Sequence, residues 1–238
     1  GLGDVYKRQG CVFMNLSLQQ DWSINFNHIA VQRQHRQVLT DIDVHLTDKD
    51  FILLTGHNGS GKSTLLRIIA GLLKPDHAQI MYSGHIKSWP QAKNFLRQHI
   101  CYLHQHPYLF QGSVFDNIAY GLHQKKISRQ ALNARVKQAL EAISLEHLAD
   151  RDSRELSGGE KQRVAIARSW IIAPRLILLD EPFANMDKAS RFQCYQLINQ
   201  LKNDNIGVIV TSHDPQQGEL EFNQHIHLYQ GKMSHKTI

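Results

Sequence analysis

Three short stretches hold residue types that could do chemistry together. In the first, Gly56-His57-Asn58-Gly59-Ser60-Gly61-Lys62-Ser63, followed by Thr64, has the spacing of a glycine-rich loop closed by Lys and Ser. Glycines at those positions let successive backbone N–H groups converge on β- and γ-phosphates, and the start of a following helix adds positive potential. Lys62 would neutralise phosphate charge, and the Ser63 hydroxyl would ligate Mg²⁺. In the second, the apolar run Leu176–Leu179 ends in Asp180-Glu181. Asp180 is placed to hold Mg²⁺ directly or through water. Glu181, one residue on, faces another side of the chain and suits an attacking water. The third is Leu156-Ser157-Gly158-Gly159-Glu160, at the start of a helical pattern. An N-cap would account for Ser157 alone. Two adjacent glycines are a poor helix start unless something must approach the backbone closely. With one phosphate cradle already present, this second set of donors is best explained as serving a partner subunit's nucleotide.

The elements that must position these residues read as an alternation of strands and helices. Phe51–Thr55 is a continuous apolar run, expected of a central parallel strand covered on both faces. It feeds the glycine loop and then a helix over about 62–73, which Pro75 would stop. Ile42, Val44 and Leu46 alternate with polar residues, the pattern of a half-buried strand. Short strands are expected at 79–82 and Ile100–Leu103. From about 113 to 172 the pattern becomes helical: Ala131, Val136, Leu140 and Ile143 share one face, with Ser128 as cap. Leu176–Leu179, a helix near 189–201, a strand at 207–211 and a strand-like Gln224–Tyr229 follow. The sum is an α/β core interrupted by a helical insert.

At 238 residues the chain suits one large domain or a core with a subdomain, and its longest apolar runs are far shorter than a membrane helix needs. Cys11, Cys101 and Cys194 are widely spaced, which argues for a reducing compartment and against a disulfide framework. The net charge of +6 points to an anionic partner, for which nucleotide and an acidic membrane surface suffice. Residues 1–10 show neither helical nor strand periodicity and resemble translated adaptor sequence, so Met14 is the expected start.

In this order the motifs resemble the ATP-binding cassette (ABC) ATPases of transporters, from about residue 16 onward: GHNGSGKST, Gln105 after Ile100–Leu103, LSGGE, LILLDE, and His213 after the strand at 207–212. The resemblance implies a P-loop NTPase fold of the α/β class, with a mainly parallel sheet, an N-terminal antiparallel β part and a helical insert subdomain. One domain over 11–238 would divide into a core of about 14–104 and 173–238 and a helical part of about 105–172. It implies ATP and Mg²⁺ as cofactors. By the same resemblance Gln105 senses Mg²⁺ and the attacking water, His213 contacts the γ-phosphate, and Asp187 reaches across a dimer interface. Glu160 stands where Gln is commoner, and Arg33 stands where the family usually carries an adenine-stacking aromatic.

The resemblance further implies an ATP-hydrolysing subunit that pairs with a second such subunit, an identical chain by expectation. It would drive import through a separate transmembrane permease, with a solute-binding protein in the full system, peripheral at the cytoplasmic face of the inner (plasma) membrane. The aromatic-rich stretch 108–122 would form the groove for the permease, or would be ordinary packing of the insert. Its wording is similar to importers of tungstate, molybdate or related oxyanions. Only a short tail follows His213, so no appended regulatory domain is expected. The competing class is a soluble ABC-type ATPase acting on nucleic acid or ribosomes. The positive charge favours it; the lack of heptads between Gln105 and Leu156 and the single cassette oppose it.

Overall fold

A computed structural model describes residues 22–123, 125, 127–213 and 220–236. The leader expected over 1–10, Met14 and Cys11 lie outside the described residues. Two sheets carry the fold. Strands β1 (Ser23–Arg33), β2 (Arg36–Thr47), β4 (His77–Tyr82) and β5 (His85–Lys87) form an antiparallel sheet in the order β2-β1-β4-β5. Strands β3 (Phe51–Thr55), β6 (Ile100–Leu103), β7 (Leu176–Leu179), β8 (Gly207–Ser212), β9 (Gln224–Tyr229) and β10 (Lys232–Lys236) form the second, in the order β10-β9-β3-β8-β7-β6. This sheet is parallel throughout except for the β9–β10 hairpin.

The central strands are buried on both faces, as their unbroken apolar sequences require. Alternate residues feed two cores. Phe51, Ile177, Leu179, Val208 and Val210 pack towards the helical segment, while Ile52, Leu54, Leu176, Leu178 and Ile209 pack towards the antiparallel sheet. The helices are α1 (Lys62–Ile69), α2 (Trp89–His99), α3 (Val114–Ala119), α4 (Arg129–Ala142), α5 (Gly158–Trp170) and α6 (Lys188–Asn203). Ser128 caps α4 by accepting from Ala131 N–H at 3.2 Å, and Val136 and Leu140 are buried beneath it.

Among the elements that differ from the sequence expectation, three have a local physical reason. The helix after the glycine loop ends at Ile69 rather than near 73, because Gly71 turns left-handed (φ 69°) directly after the Ala70 cap, before Pro75 is reached. Strand β1 was not foreseen: its buried residues are Ile24 and Phe26, then Ile29 and Val31, so a register shift between Phe26 and Ile29 breaks the two-residue period. Helix α2 was also missed, although Ser88 and Gln91 form a capping box at its start. It buries only Ala92 and Leu96, too narrow a stripe to stand out. Cys101 in β6 and Cys194 in α6 are free thiols, and burial pushes both up to about 12.

Candidate functional site

Because β3, β6, β7 and β8 run parallel, their C-terminal ends open on one edge of the sheet, where ligands bind in open α/β folds. Gly56 follows β3, Gln105 lies two residues past β6, Asp180 and Glu181 follow β7, and His213 follows β8. The glycine loop is built as a backbone cradle. Gly56 has φ 152°, and a Cβ there would lie 2.3 Å from the Leu228 carbonyl oxygen and 2.6 Å from Ser60 Oγ. Gly61 has φ 108° as the residue before α1, and its Cβ would meet Leu39 at 2.8 Å. Neither position admits a side chain. Ser60 Oγ is buried with no hydrogen-bond partner among the described residues, a polar atom in want of a ligand.

Lys62 is buried at the first turn of α1, and its Nζ donates to the Gly56 carbonyl at 2.7 Å and to the His57 carbonyl at 3.3 Å. Burial lowers its pKa, against the opposing pull of Glu181 and Asp180. Its ammonium lies 3.9 Å from Glu181 Oε1. Gln105 Nε2 donates to Glu181 Oε2 at 3.3 Å, and His213 Nε2 pairs with Glu181 Oε1. Lys62, Gln105 and His213 therefore meet at one carboxylate. Glu181 itself is left-handed (φ 51°), and its N–H donates to Thr211 Oγ at 2.8 Å. Asp180 is buried, with Tyr102 Oη donating to one oxygen at 2.8 Å and Thr211 Oγ to the other at 2.9 Å. Tyr102 and Thr211 were not foreseen. No spacing marks a hydroxyl inside an apolar strand, and the contact arises only when three strands align.

His57, Asn58 and Gly59 are exposed on the outer side of the loop, while Ser63 and Thr64 open α1 beside Lys62. The orphaned Ser60 hydroxyl and the Gly56 cradle fit a phosphate chain, and Ser63 with Asp180 supplies the hard oxygen donors that suit Mg²⁺.

The Ser-Gly-Gly turn lies elsewhere, at the start of α5. Ser157 and Glu160 make a capping box: Ser157 N–H donates to Glu160 Oε2 at 2.7 Å, and Glu160 N–H to Ser157 Oγ at 3.3 Å. Burial would raise the Glu160 pKa, but the two Ser157 hydrogen bonds together with the Arg163 and Arg151 charges outweigh it and hold the group below its usual range. The glycines differ. A Cβ on Gly159 would lie 2.7 Å from Ser190 Oγ, whereas one on Gly158 meets nothing within 4 Å. The close approach expected of both is thus accounted for at Gly159 by α6 of the same chain. Ser190 also binds Asp187, the exposed N-cap of α6, through its N–H (2.8 Å) and hydroxyl (3.0 Å). The hydrogen bonds of Ser157 and Asp187 run to Glu160 and Ser190, not to the Glu181 cluster.

Arg33 sits at the tip of the β1–β2 hairpin, paired with Arg36 across Gln34 and His35, both left-handed. Its Nη1 donates to the Gln32 carbonyl at 3.1 Å and lies 4.0 Å from Asp76. A cleft of about 330 Å³ between Arg36 and Val38 on β2, His57 and Gly59 of the loop, and Gly231 joins this hairpin to the cradle.

A glycine cradle between a parallel strand and a helix, with an acidic pair at the end of a strand in the same sheet, defines a P-loop nucleotide-binding protein. Residues 39–184 match the family model described as ABC transporter, and the chain belongs to that family. ATP is the nucleotide this assigns to it. The molybdate/tungstate import ATP-binding protein WtpC of Pyrococcus abyssi is 44% identical over 66% of the chain and 46% of that protein. The sulfate/thiosulfate import ATP-binding protein CysA of Thermosynechococcus vestitus is 37% identical over 76% of the chain and 54% of that protein. The chain spans about half the length of these curated relatives. Among solved structures, cbiO1 of Clostridium perfringens, part of the ABC transporter complex cbiONQ, superposes with a TM-score of 0.80 at 26% identity, over 90% of this chain and 88% of that one.

Proposed function

We propose that the chain is the ATP-hydrolysing subunit of an oxyanion importer, with its active site at Gly56, His57, Asn58, Gly59, Ser60, Gly61, Lys62, Ser63, Thr64, Gln105, Asp180, Glu181 and His213. The observation that carries this reading is the meeting of Lys62, Gln105 and His213 at the Glu181 carboxylate. The loop N–H groups and Lys62 take the phosphate charge. Glu181 accepts a hydrogen bond from the attacking water and takes its proton as the bond to the γ-phosphorus forms and the bond from that phosphorus to the bridging oxygen breaks, releasing ADP, with Gln105 orienting the water. His213 stands beside the same position as a donor to the γ-phosphate. Ser63 and Asp180 would hold Mg²⁺, which when bound neutralises charge on the β- and γ-oxygens.

Ser157, Gly158, Gly159 and Asp187 complete the site of a second, identical subunit, head to tail, so ATP closes the interface and hydrolysis opens it. The exposure of Gly158 and of Ser157 and Asp187, all outside the Glu181 cluster, supports this. On this reading residues 105–172 form the insert that meets a transmembrane permease. Its loop is pinned by buried Asn117, which accepts from Phe110 N–H at 2.8 Å and donates to the Phe110 carbonyl at 2.9 Å. Leu109, Val114, Phe115 and Ile118 turn into the core, leaving Tyr108 (74% exposed), Phe110 and Tyr120 outside with the Arg168 guanidinium 5.0 Å from the Phe110 ring. An exposed aromatic patch supports a protein partner there. No helix among the described residues is long and apolar enough to cross a membrane, which suits a peripheral place on the cytoplasmic face of the inner membrane. The likeness to molybdate/tungstate and sulfate/thiosulfate import proteins favours molybdate, tungstate or sulfate as cargo, delivered by a solute-binding protein.

Glu181→Gln tests the assignment. ATP binding should persist while turnover falls by about 10²–10⁴-fold, and size-exclusion chromatography with ATP should show an accumulated dimer. Wild-type hydrolysis by this variant would remove Glu181 as the base.

A further inference from the structure

We propose that Tyr102 and Thr211 are positioning residues that clamp the Asp180 carboxylate for its metal, with Thr211 also fixing the backbone of Glu181; this rests on the reading of Asp180 as the Mg²⁺ ligand. Asp180 follows β7, which lies between β6 and β8, and one hydroxyl reaches it from each neighbour. Tyr102 Oη on β6 donates to Asp180 Oδ2 at 2.8 Å, and Thr211 Oγ on β8 donates to Oδ1 at 2.9 Å. A carboxylate held by one donor can still rotate about its Cβ–Cγ bond. Donors on opposite oxygens fix its plane and leave each oxygen a lone pair for the metal or its water. Carboxylates that bind metal are held this way by outer partners.

Both hydroxyls are committed. Tyr102 lies half-buried on β6, with its phenol proton directed at the Asp180 carboxylate. Arg67 of α1, five residues beyond Lys62, lies near Tyr102 on the helix that follows the phosphate loop. Thr211 is fully buried, and the same oxygen that donates to Asp180 accepts from Glu181 N–H at 2.8 Å. Glu181 is left-handed (φ 51°), a conformation that costs a non-glycine residue energy and persists only when its surroundings hold it. One threonine hydroxyl thus couples the metal carboxylate to the base.

The test uses the full chain and compares the free Mg²⁺ needed for half-maximal ATP hydrolysis in wild type, Tyr102→Phe, Thr211→Val, Thr211→Ser and Asp180→Asn, with EPR of bound Mn²⁺ alongside. Tyr102→Phe and Thr211→Val should each raise the Mg²⁺ requirement about tenfold, as loss of an outer partner does, and broaden the Mn²⁺ spectrum. ATP affinity in EDTA should not move, and Thr211→Ser should restore the wild-type curve. If Asp180→Asn shifts the Mg²⁺ curve while Tyr102→Phe and Thr211→Val do not, the clamp is wrong and the metal assignment stands. If Asp180→Asn leaves the curve unchanged, the metal assignment itself falls. Should Thr211→Val fail to fold, Tyr102→Phe decides alone.

Discussion

Gly158 and Gly159 are neighbours in sequence with opposite surroundings, and that difference can be measured. A methyl group on Gly159 would press on Ser190, the residue that ties Asp187 to the start of α6. Gly159→Ala should therefore cost about 1–3 kcal/mol of stability by overpacking, visible as a lower thermal midpoint. Gly158→Ala, facing open space, should stay within about 0.5 kcal/mol yet reduce hydrolysis, because the proposed partner's nucleotide must approach that backbone. Equal stability of the two variants would contradict the packing. At this scale the sequence was partly legible. Loop spacing and the Asp-Glu pair marked the phosphate edge, since glycines and a lysine at fixed intervals have few other uses. The Tyr102–Asp180 and Thr211–Asp180 bonds span 78 and 31 residues and had no local signal.

Among the elements, the β1–β2 hairpin is the one whose tip departs from what the resemblance led us to expect. Its tip carries Arg33 instead of an aromatic, and the pairing of Arg33 with Asp76 at 4.0 Å is exposed on both sides, so replacing it should cost little stability. Arg33→Tyr should tighten ATP binding by about 0.5–1.5 kcal/mol, roughly two- to tenfold, in a fluorescent-nucleotide titration. An unchanged or weaker dissociation constant would count against placing the base at this tip. Strands β3, β7 and β8 were legible because burial on both faces writes an unbroken apolar run. Strand β1 was not, because its bulge shifts the apolar phase midway, and α1 was read too long because Gly71 acts before Pro75.

For the molecule as a whole, the proposed sharing of sites can be tested by mixing two damaged chains. Ser157→Arg spoils only the lent half of a site and Lys62→Ala only the kept half. A mixed dimer then holds one doubly damaged site and one intact site. At equal mixing, half the dimers each keep one site, so turnover should recover to about a quarter of wild type. If each chain completed its own site, the mixture would be no more active than the two variants measured apart. The parallel core and the helical segment could be anticipated from the alternation of elements, because each pattern answers to burial, whereas the antiparallel part was implied only by the resemblance. The proposed meeting of two chains rests on one exposed turn, since a surface completed by another copy leaves little trace in the hydrophobic pattern of one.

Cys101 and Cys194 have a practical use here. With both thiols pushed up to about 12, almost no thiolate exists at neutral pH, so alkylating probes should pass them by. Once Cys11 is replaced, a cysteine engineered at Ser157 or Asp187 would be the sole fast-reacting group. The chain thereby offers a near-silent background in which a fluorophore or a cross-link can test whether the proposed assembly opens and closes turn by turn.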